Sequence, residues 1–245
     1  MAARAAGQLQ RRRFGRQGAV ETKADDTPVT ATDRDAEAII RRILRPVVPG
    51  CGFLAEESQA EAGSGAARWI IDPLDGTKKF VRGLPFFGPC IALERHGAVM
   101  LGVIHVPLLK ETLWAERGHG AFRNGIPTRV SSQERLDRAY VVYSGEAEFY
   151  RRSWSAGLEA LIRGTYHNPG FLDLYSYAAL ASGRVDAVVN IGEAPWDIAA
   201  AQVIVEEAGG RLTDFTGRPG IYGGTCVASN GTLHERLLEM LAACR

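Results

Sequence analysis

The chain has 245 residues, of which 46% are hydrophobic and 23% charged, with 29 basic residues against 28 acidic ones. That length suits one large domain or two smaller ones. The near-even charge gives no case for nucleic acid, a membrane surface or an acidic partner, and no apolar run reaches the ~18 residues of a membrane span.

The N-terminal stretch MAARAAGQLQRRRFGRQ is rich in arginine and lacks acids. A targeting peptide would share that composition, but Ala2, Ala5, Ala6, Leu9 and Phe14 can share one face, which favours a first helix. The segment TPVTATDRDAEAIIRRILRPVVPG reads as a loop and then a helix, capped by Thr30 or Thr32 and ended by Pro46. Ala36, Ile39, Ile40, Ile43 and Leu44 follow at helical spacing. GFLAEES is a short strand running into two glutamates, QAEAGSGAAR a polar loop, and WIIDPLDGTKKF a buried strand that ends in a turn. Strands follow, with hairpins at His96–Gly97 and Asn124–Gly125.

From RAYVVYS onward helices and strands alternate. Helices are expected near 150–162, 172–182, 196–208 and 232–242, with strands at VDAVVN and CVAS. The first half therefore reads as α+β and the second as α/β. A soft boundary near residue 132 gives two units, 1–132 with most of the acidic candidates and 133–245 with Asp197. Cys51, Cys90, Cys226 and Cys244 fit neither CxxC nor zinc-finger spacing. They read as reduced thiols in a reducing compartment, which points to the cytoplasm. The five histidines form no ligand set by spacing and read as turn, surface or strand residues. Trp196 reads as a packing anchor, and Arg184 as the basic residue expected at a helix end.

The chemistry lies in where the acids fall. Glu56 and Glu57 follow one strand, Asp72 and Asp75 another, and Asp197 opens a helix that Gly209 closes. Carboxylates gathered at the ends of several elements repel one another and stay ionised together only beside cations. Hard oxygen ligands with a carbonyl and a hydroxyl suit Mg²⁺. Proline fixes the backbone between Asp72 and Asp75, so both can face one cavity and bridge two metals. The Leu74 carbonyl and the Thr77 hydroxyl can complete the coordination. The N–H groups of Gly76 and Thr77 at a helix start can hold a phosphate. The pattern points to phosphoryl chemistry with two or more metals. For any single acid the plainer alternative is a helix cap or a solvated turn.

WIIDPLDGTKKFVRGLPFF together with PWDIAAAQVIVEEAGG resembles the paired signatures of the inositol monophosphatase superfamily, D-P-[ILV]-D-G-T and W-D-x-[AG]-[AG]. FLAEES resembles its glutamate motif, and TKADDTPVTATDRDAE its N-terminal motif. The resemblance covers about residues 20 to 240. It implies a layered α/β/α/β/α sandwich, a homodimer, and a Mg²⁺-dependent phosphomonoesterase of the kind often inhibited by Li⁺. Carried over by motif, Glu56, Asp72, the Leu74 carbonyl and Thr77 would hold one metal. Asp72, Asp75 and Asp197 would hold a second, and Glu56 a weaker third through water. Thr77, oriented by Asp33, would position and help deprotonate the attacking water. Glu57 and Lys23 would support the site. Asp33 could also be a plain helix N-terminal charge.

For the ester, the stretches after the turn and near the C-terminus look most like the histidinol-phosphatase branch. Asn190 stands where many inositol phosphatases carry a glutamate that contacts inositol hydroxyls. Asp173 stands where histidinol phosphatases often have an aspartate, which would pair with the substrate's ammonium; its alternative is a helix cap. Lys78, Lys79 and Arg82 are placed either to attract an anion or to form a solvated helix face. Histidinol phosphate is the leading small-molecule substrate, ahead of inositol-1-phosphate or another polyol phosphate, and ahead of a 3′-phosphonucleotide or sugar bisphosphate. A non-catalytic phosphometabolite-binding protein is the alternative from another class. It would be favoured by a lost metal ligand, and none is lost.

Overall fold

The alanine-rich start forms helix α1, Ala2–Arg13. Ala2, Ala3, Ala6 and Leu9 are buried against helix α2, Ala31–Leu44, where small side chains let the two backbones approach closely. The structure, a computed structural model, describes residues 1–16, 18–23, 28–170 and 173–242. Parts of the motif TKADDTPVTATDRDAE (residues 24–27) and of the loop before Asp173 (171–172), together with Cys244, lie outside the described residues. Between the two helices, strands β1 (Val20–Thr22) and β2 (Pro28–Thr30) pair antiparallel. Thr30, not Thr32, caps α2, and its hydroxyl oxygen accepts the Thr32 N–H at 3.1 Å.

The first sheet follows in chain order. Its elements are β3 (Gly52–Ala55), β4 (Ala67–Asp75), the short helix α3 (Thr77–Val81), β5 (Gly88–Arg95), β6 (Ala98–Val106), β7 (Glu111–Glu116), β8 (Ala121–Arg123) and β9 (Ile126–Pro127). The strands lie side by side in sequence order; β3 and β4 are parallel and the rest antiparallel. The hairpins at His96–Gly97 and Asn124–Gly125 are present, with positive φ at all four residues.

The remainder comprises β10 (Val141–Ser144), α4 (Glu146–Arg151), α5 (Ser155–Gly164), α6 (Leu174–Leu180), β11 (Ala187–Ile191), α7 (Pro195–Glu207), β12 (Arg211–Thr213), β13 (Thr225–Ser229) and α8 (His234–Ala242). Three expectations change here. The single helix near 150–162 is two, because Ser153 takes φ +59° between them. The second sheet, ordered β10-β11-β13-β12, is parallel only between β10 and β11. Strand β12 was not foreseen, since three residues leave too short a pattern to read.

Buried side chains sort into layers. One face of the first sheet (Ile71, Ile91, Trp69) packs on α1 and α2. Its other face (Ile70, Ala92, Ile104) shares a core with α6, α7 and the inner face of the second sheet (Val142, Val188, Ala228). The outer face of the second sheet (Val141, Val189, Val227) packs on α5 and α8. The order is therefore α/β/α/β/α. Helix α7 lies between the two sheets, and every residue from Ile198 to Val205 is buried. A helix covered on both sides has no polar face to keep. Gly102 of β6 permits this approach, because a Cβ there would stand 2.5 Å from the Ala200 carbonyl oxygen.

No described helix is long and apolar enough to cross a membrane. Cys51, Cys90 and Cys226 are free thiols. His105 is a strand residue of β6, as expected, and is buried, whereas His234 is a buried residue at the start of α8. His105 bonds Thr112 Oγ1 at 2.9 Å, and His234 bridges Thr213 and Ser229 at 2.9 Å each. Burial pushes both imidazoles down to about 4.

Candidate active site

The turn after β4 is built from its sequence. Pro73 has no N–H to give the sheet ladder, and the pairing of β4 with β5 shifts register between Asp72 and Asp75. The Pro73 carbonyl instead accepts the buried Gln10 Nε2 of α1 at 2.7 Å. Asp72 turns back and accepts the Leu74 N–H at 2.8 Å. Gly76 then reverses the chain at φ +84°; a Cβ there would meet the Phe86 carbonyl oxygen at 2.6 Å, so only glycine fits without strain. Thr77 follows at the start of α3.

Asp33 joins the turn to α2. Its Oδ2 accepts the Thr30 N–H at 2.9 Å and the Thr30 hydroxyl at 2.6 Å, closing a capping box. Its Oδ1 lies 2.9 Å from Thr77 Oγ1, which is also 2.9 Å from the Leu74 carbonyl oxygen. The two readings of Asp33 are thus both realised, one by each oxygen.

Asp197 arrives from the other half of the chain, in the first turn of α7, where the Ala194 N–H donates to its Oδ2 at 2.7 Å. Carboxylate oxygens of Asp72, Asp75 and Asp197 lie within 4.8 Å of one another. Burial raises all three pKa values, and neighbouring acids add to it. Asp72 and Asp75 stand well above the ordinary carboxylate range, and Asp197 at about 7. Glu56, beside β3, is held by Lys23 Nζ at 2.8 Å, and Glu57 by the same nitrogen at 2.6 Å. Burial works against the charged lysine, but the two carboxylates outweigh it and hold Lys23 above its usual pKa. Glu57 is pushed up to about 7 by burial, against the pull of Lys23.

A cavity of about 360 Å³ opens over these groups. Glu56, Asp72, Leu74, Asp75, Gly76 and Thr77 line one side. Tyr143, Asp173, Tyr177, Asn190, Glu193 and Asp197 line the other. Asp173 sits at the N-cap of α6 with φ +40°, yet its side chain caps nothing. It pairs with Lys79 at 2.5 Å, across from the opposite half of the chain. Asn190 Nδ2 donates to the Tyr177 hydroxyl at 3.0 Å, and that hydroxyl lies 3.3 Å from Glu193 Oε2.

The sequence profile of the inositol monophosphatase family matches residues 1–245, the whole chain. This protein belongs to the inositol monophosphatase family. A histidinol-phosphatase of Chlorobaculum parvum is 40% identical over 96% of this chain and 92% of its own. The fructose-1,6-bisphosphatase/inositol-1-monophosphatase of Thermotoga maritima is 37% identical over 97% and 92%. Among solved structures, the extragenic suppressor protein SuhB of Bartonella henselae superposes with a TM-score of 0.92, at 34% identity over 98% of this chain and 95% of that one.

Inositol monophosphatase family members are metal-dependent phosphatases, and the donor set here suits a hard divalent cation. It is all oxygen, crowded and buried, with raised carboxylate pKa values that mark negative charge awaiting a counter-ion. The residues singled out in the sequence for the site line the cavity, except Asp33, which touches Thr77, Lys23, which touches Glu56, Glu57, which is held by Lys23, and Arg82. Sequence reasoning missed Glu193, Tyr177 and Tyr143. A signal for Glu193 was present: an acid in the Gly-Glu-Ala-Pro turn four residues before Asp197. Arg184 is the helix-end charge expected of it, donating to the Ala178 carbonyl in the last turn of α6 at 3.4 Å, and it also donates to the Tyr175 hydroxyl at 2.6 Å and pairs with Glu111.

Proposed function

We propose that the chain is a Mg²⁺-dependent phosphomonoesterase that hydrolyses histidinol phosphate to histidinol and phosphate. The observation that carries the phosphatase reading is the meeting of Asp72, Asp75 and Asp197 oxygens within 4.8 Å at a cavity that also holds the Thr77 hydroxyl. Glu56, Asp72, the Leu74 carbonyl, Asp75, Thr77 and Asp197 would hold the ions. Bound Mg²⁺ would supply positive charge for the phosphate and lower the pKa of a water.

The protein's own part is orientation and proton handling. Asp33 Oδ1 offers an acceptor for the Thr77 proton, which leaves the Thr77 oxygen free to accept a proton from water. A proton taken up at Thr77 Oγ1 is then matched by one passed to Asp33. The capping box holds Asp33 rigid, so the hydroxyl is aimed before substrate arrives. The amides of Gly76 and Thr77 take the phosphate. Lys23 holds Glu56 and Glu57 in place, and Asp173 holds Lys79 at the cavity wall.

Histidinol phosphate is supported by relatives named histidinol-phosphatase at 40% and 38% identity and by surplus acids on the alcohol side of the cavity. A second reading, inositol-1-phosphate or a sugar bisphosphate, is favoured by the Thermotoga maritima relative at 37%. Li⁺ inhibition, a homodimer and a cytoplasmic setting belong to the same proposal and rest on the family and the free thiols. The test is phosphate release from histidinol phosphate, inositol-1-phosphate, a 3′-phosphonucleotide and fructose-1,6-bisphosphate, with Mg²⁺ and with excess chelator. Full turnover in chelator ends the metal reading; inositol-1-phosphate as the best substrate ends the histidinol reading.

A further inference from the structure

Most acids of the cavity wall have an evident counter-charge, a place in the metal cluster or contact with solvent. Asp72, Asp75 and Asp197 form the metal cluster. Glu56 has Lys23, and Asp173 has Lys79 at 2.5 Å. Glu146 is exposed and solvated. Glu193 is left over: it is half-buried and lines the cavity, and among the described residues no lysine, arginine or histidine pairs with it. Its partners are the Tyr177 hydroxyl, at 3.3 Å, and the neighbouring Asn190 side chain, neither of them a cation.

Beside it, Asn190 is 1% exposed, lines the same cavity and spends its Nδ2 on Tyr177. Its Oδ1 is buried with no hydrogen-bond partner. A buried acceptor without a donor costs free energy. So does a carboxylate set among other carboxylates without a cation. One group relieves both, a cation carrying several N–H donors. An ammonium has three. A neutral hydroxyl has one and no charge.

We propose that Glu193 and Asn190, braced by Tyr177, form the pocket for an ammonium group on the alcohol part of the substrate, and that this pair, rather than Asp173, selects an amino-alcohol phosphate over a polyol phosphate. The assignment rests on the phosphatase reading above and deepens it. Asp173 is a poorer candidate because Lys79 already occupies its carboxylate, so a substrate cation there would have to displace a lysine. The carboxylate of Glu193 has no such competitor, and β11 and the first turn of α7 fix Asn190 and Asp197 on either side of it.

The probes are histidinol phosphate and inositol-1-phosphate, with free L-histidinol and inorganic phosphate as inhibitors. In Glu193→Gln the ratio of kcat/KM for histidinol phosphate over inositol-1-phosphate should fall roughly ten- to a hundred-fold, the loss expected of one charged hydrogen bond. Inhibition by L-histidinol should weaken in parallel, while inhibition by inorganic phosphate stays, reporting an intact metal side. An unchanged ratio, with histidinol phosphate still preferred, overturns the ammonium pocket and leaves the histidinol reading standing. Wild-type preference for inositol-1-phosphate overturns the histidinol reading itself. A measurement on unaltered protein covers a variant that does not fold: N-acetyl-L-histidinol, which has lost the cation, should inhibit about ten-fold more weakly than L-histidinol. Equal inhibition by the two overturns the proposal.

Discussion

The two walls of the cavity are made differently. On the wall from the first half of the chain, several functional side chains are held by protein partners. Asp33 uses both oxygens, Asp72 turns back on Leu74, Thr77 lies within reach of two acceptors and Glu56 is held by Lys23. On the wall from the second half, among the described residues, Asn190 Oδ1 has no partner and Glu193 no cation, and Asp173 is held in a backbone conformation that non-glycine residues rarely adopt. A site that must perform one reaction benefits from a wall already in its working geometry. A site that must choose among alcohols needs groups left open for the alcohol to satisfy. Under the proposed function the chemistry would fall to the first wall together with Asp197, and the choice to the rest of the second.

That division can be broken most severely at the acids. Asp75→Asn or Asp197→Asn should each lower kcat by about 10²-fold or more while the circular dichroism spectrum stays native. Wild-type turnover by either variant would move the metal site elsewhere. Thr77→Ala should lower kcat by about 10²-fold with KM nearly unchanged, since the hydroxyl acts on the attacking water. A pure KM effect would hand Thr77 to substrate binding.

The charge of the Asp72, Asp75 and Asp197 cluster should also show in stability. Asp72, Asp75 and Asp197 have folded pKa values above their unfolded ones, so the folded state holds protons that the unfolded chain has lost. The metal-free protein should therefore lose stability as pH rises from the ordinary aspartate value of ~4 to about 7, where Asp197 titrates. Mg²⁺ should restore it. The gain in Tm on adding Mg²⁺ should be larger at neutral pH than near pH ~5, by roughly 5 °C. A gain equal at both pH values would mean that these acids do not hold the ion.

The smallest effect sharpens the comparison most. Asp173→Asn should weaken the contact with Lys79 and reduce kcat/KM for histidinol phosphate and inositol-1-phosphate alike, by roughly three- to five-fold. A loss confined to histidinol phosphate would return the ammonium to Asp173 and undo the assignment to Glu193.

The sequence shows the first wall almost completely because its chemistry is local. Asp72, Pro73, Asp75, Gly76 and Thr77 lie within six consecutive positions, and each residue type has a backbone or ligand reason to be there. Asp197 is legible because it opens a long apolar helix. The second wall is assembled from separate elements: Asp173 before α6, Tyr177 within it, Asn190 at the end of β11 and Glu193 in a turn. Nothing in linear spacing says that Lys79 reaches Asp173, or that Asn190 and Glu193 share Tyr177. The same limit applied to the fold. The alternation of helices and strands suggested an α/β unit, but β11 and β12 each pair antiparallel with β13, and β12 is too short to read. His234, grouped with the turn, surface or strand histidines, is instead buried between the hydroxyls of Thr213 and Ser229.

The bond from Gln10 to the Pro73 carbonyl bears on protein engineering. The turn from Asp72 to Thr77 looks like a cassette that could be transplanted into another scaffold to confer phosphatase chemistry. Its shape is supplied from outside: a donor from the first helix for the Pro73 carbonyl, a carboxylate from the second helix for Thr77, and the Phe86 backbone packed against Gly76. A graft of those six residues alone would carry the ligands without their geometry. A transplant would have to bring Gln10, Asp33 and the Phe86 strand entrance with it.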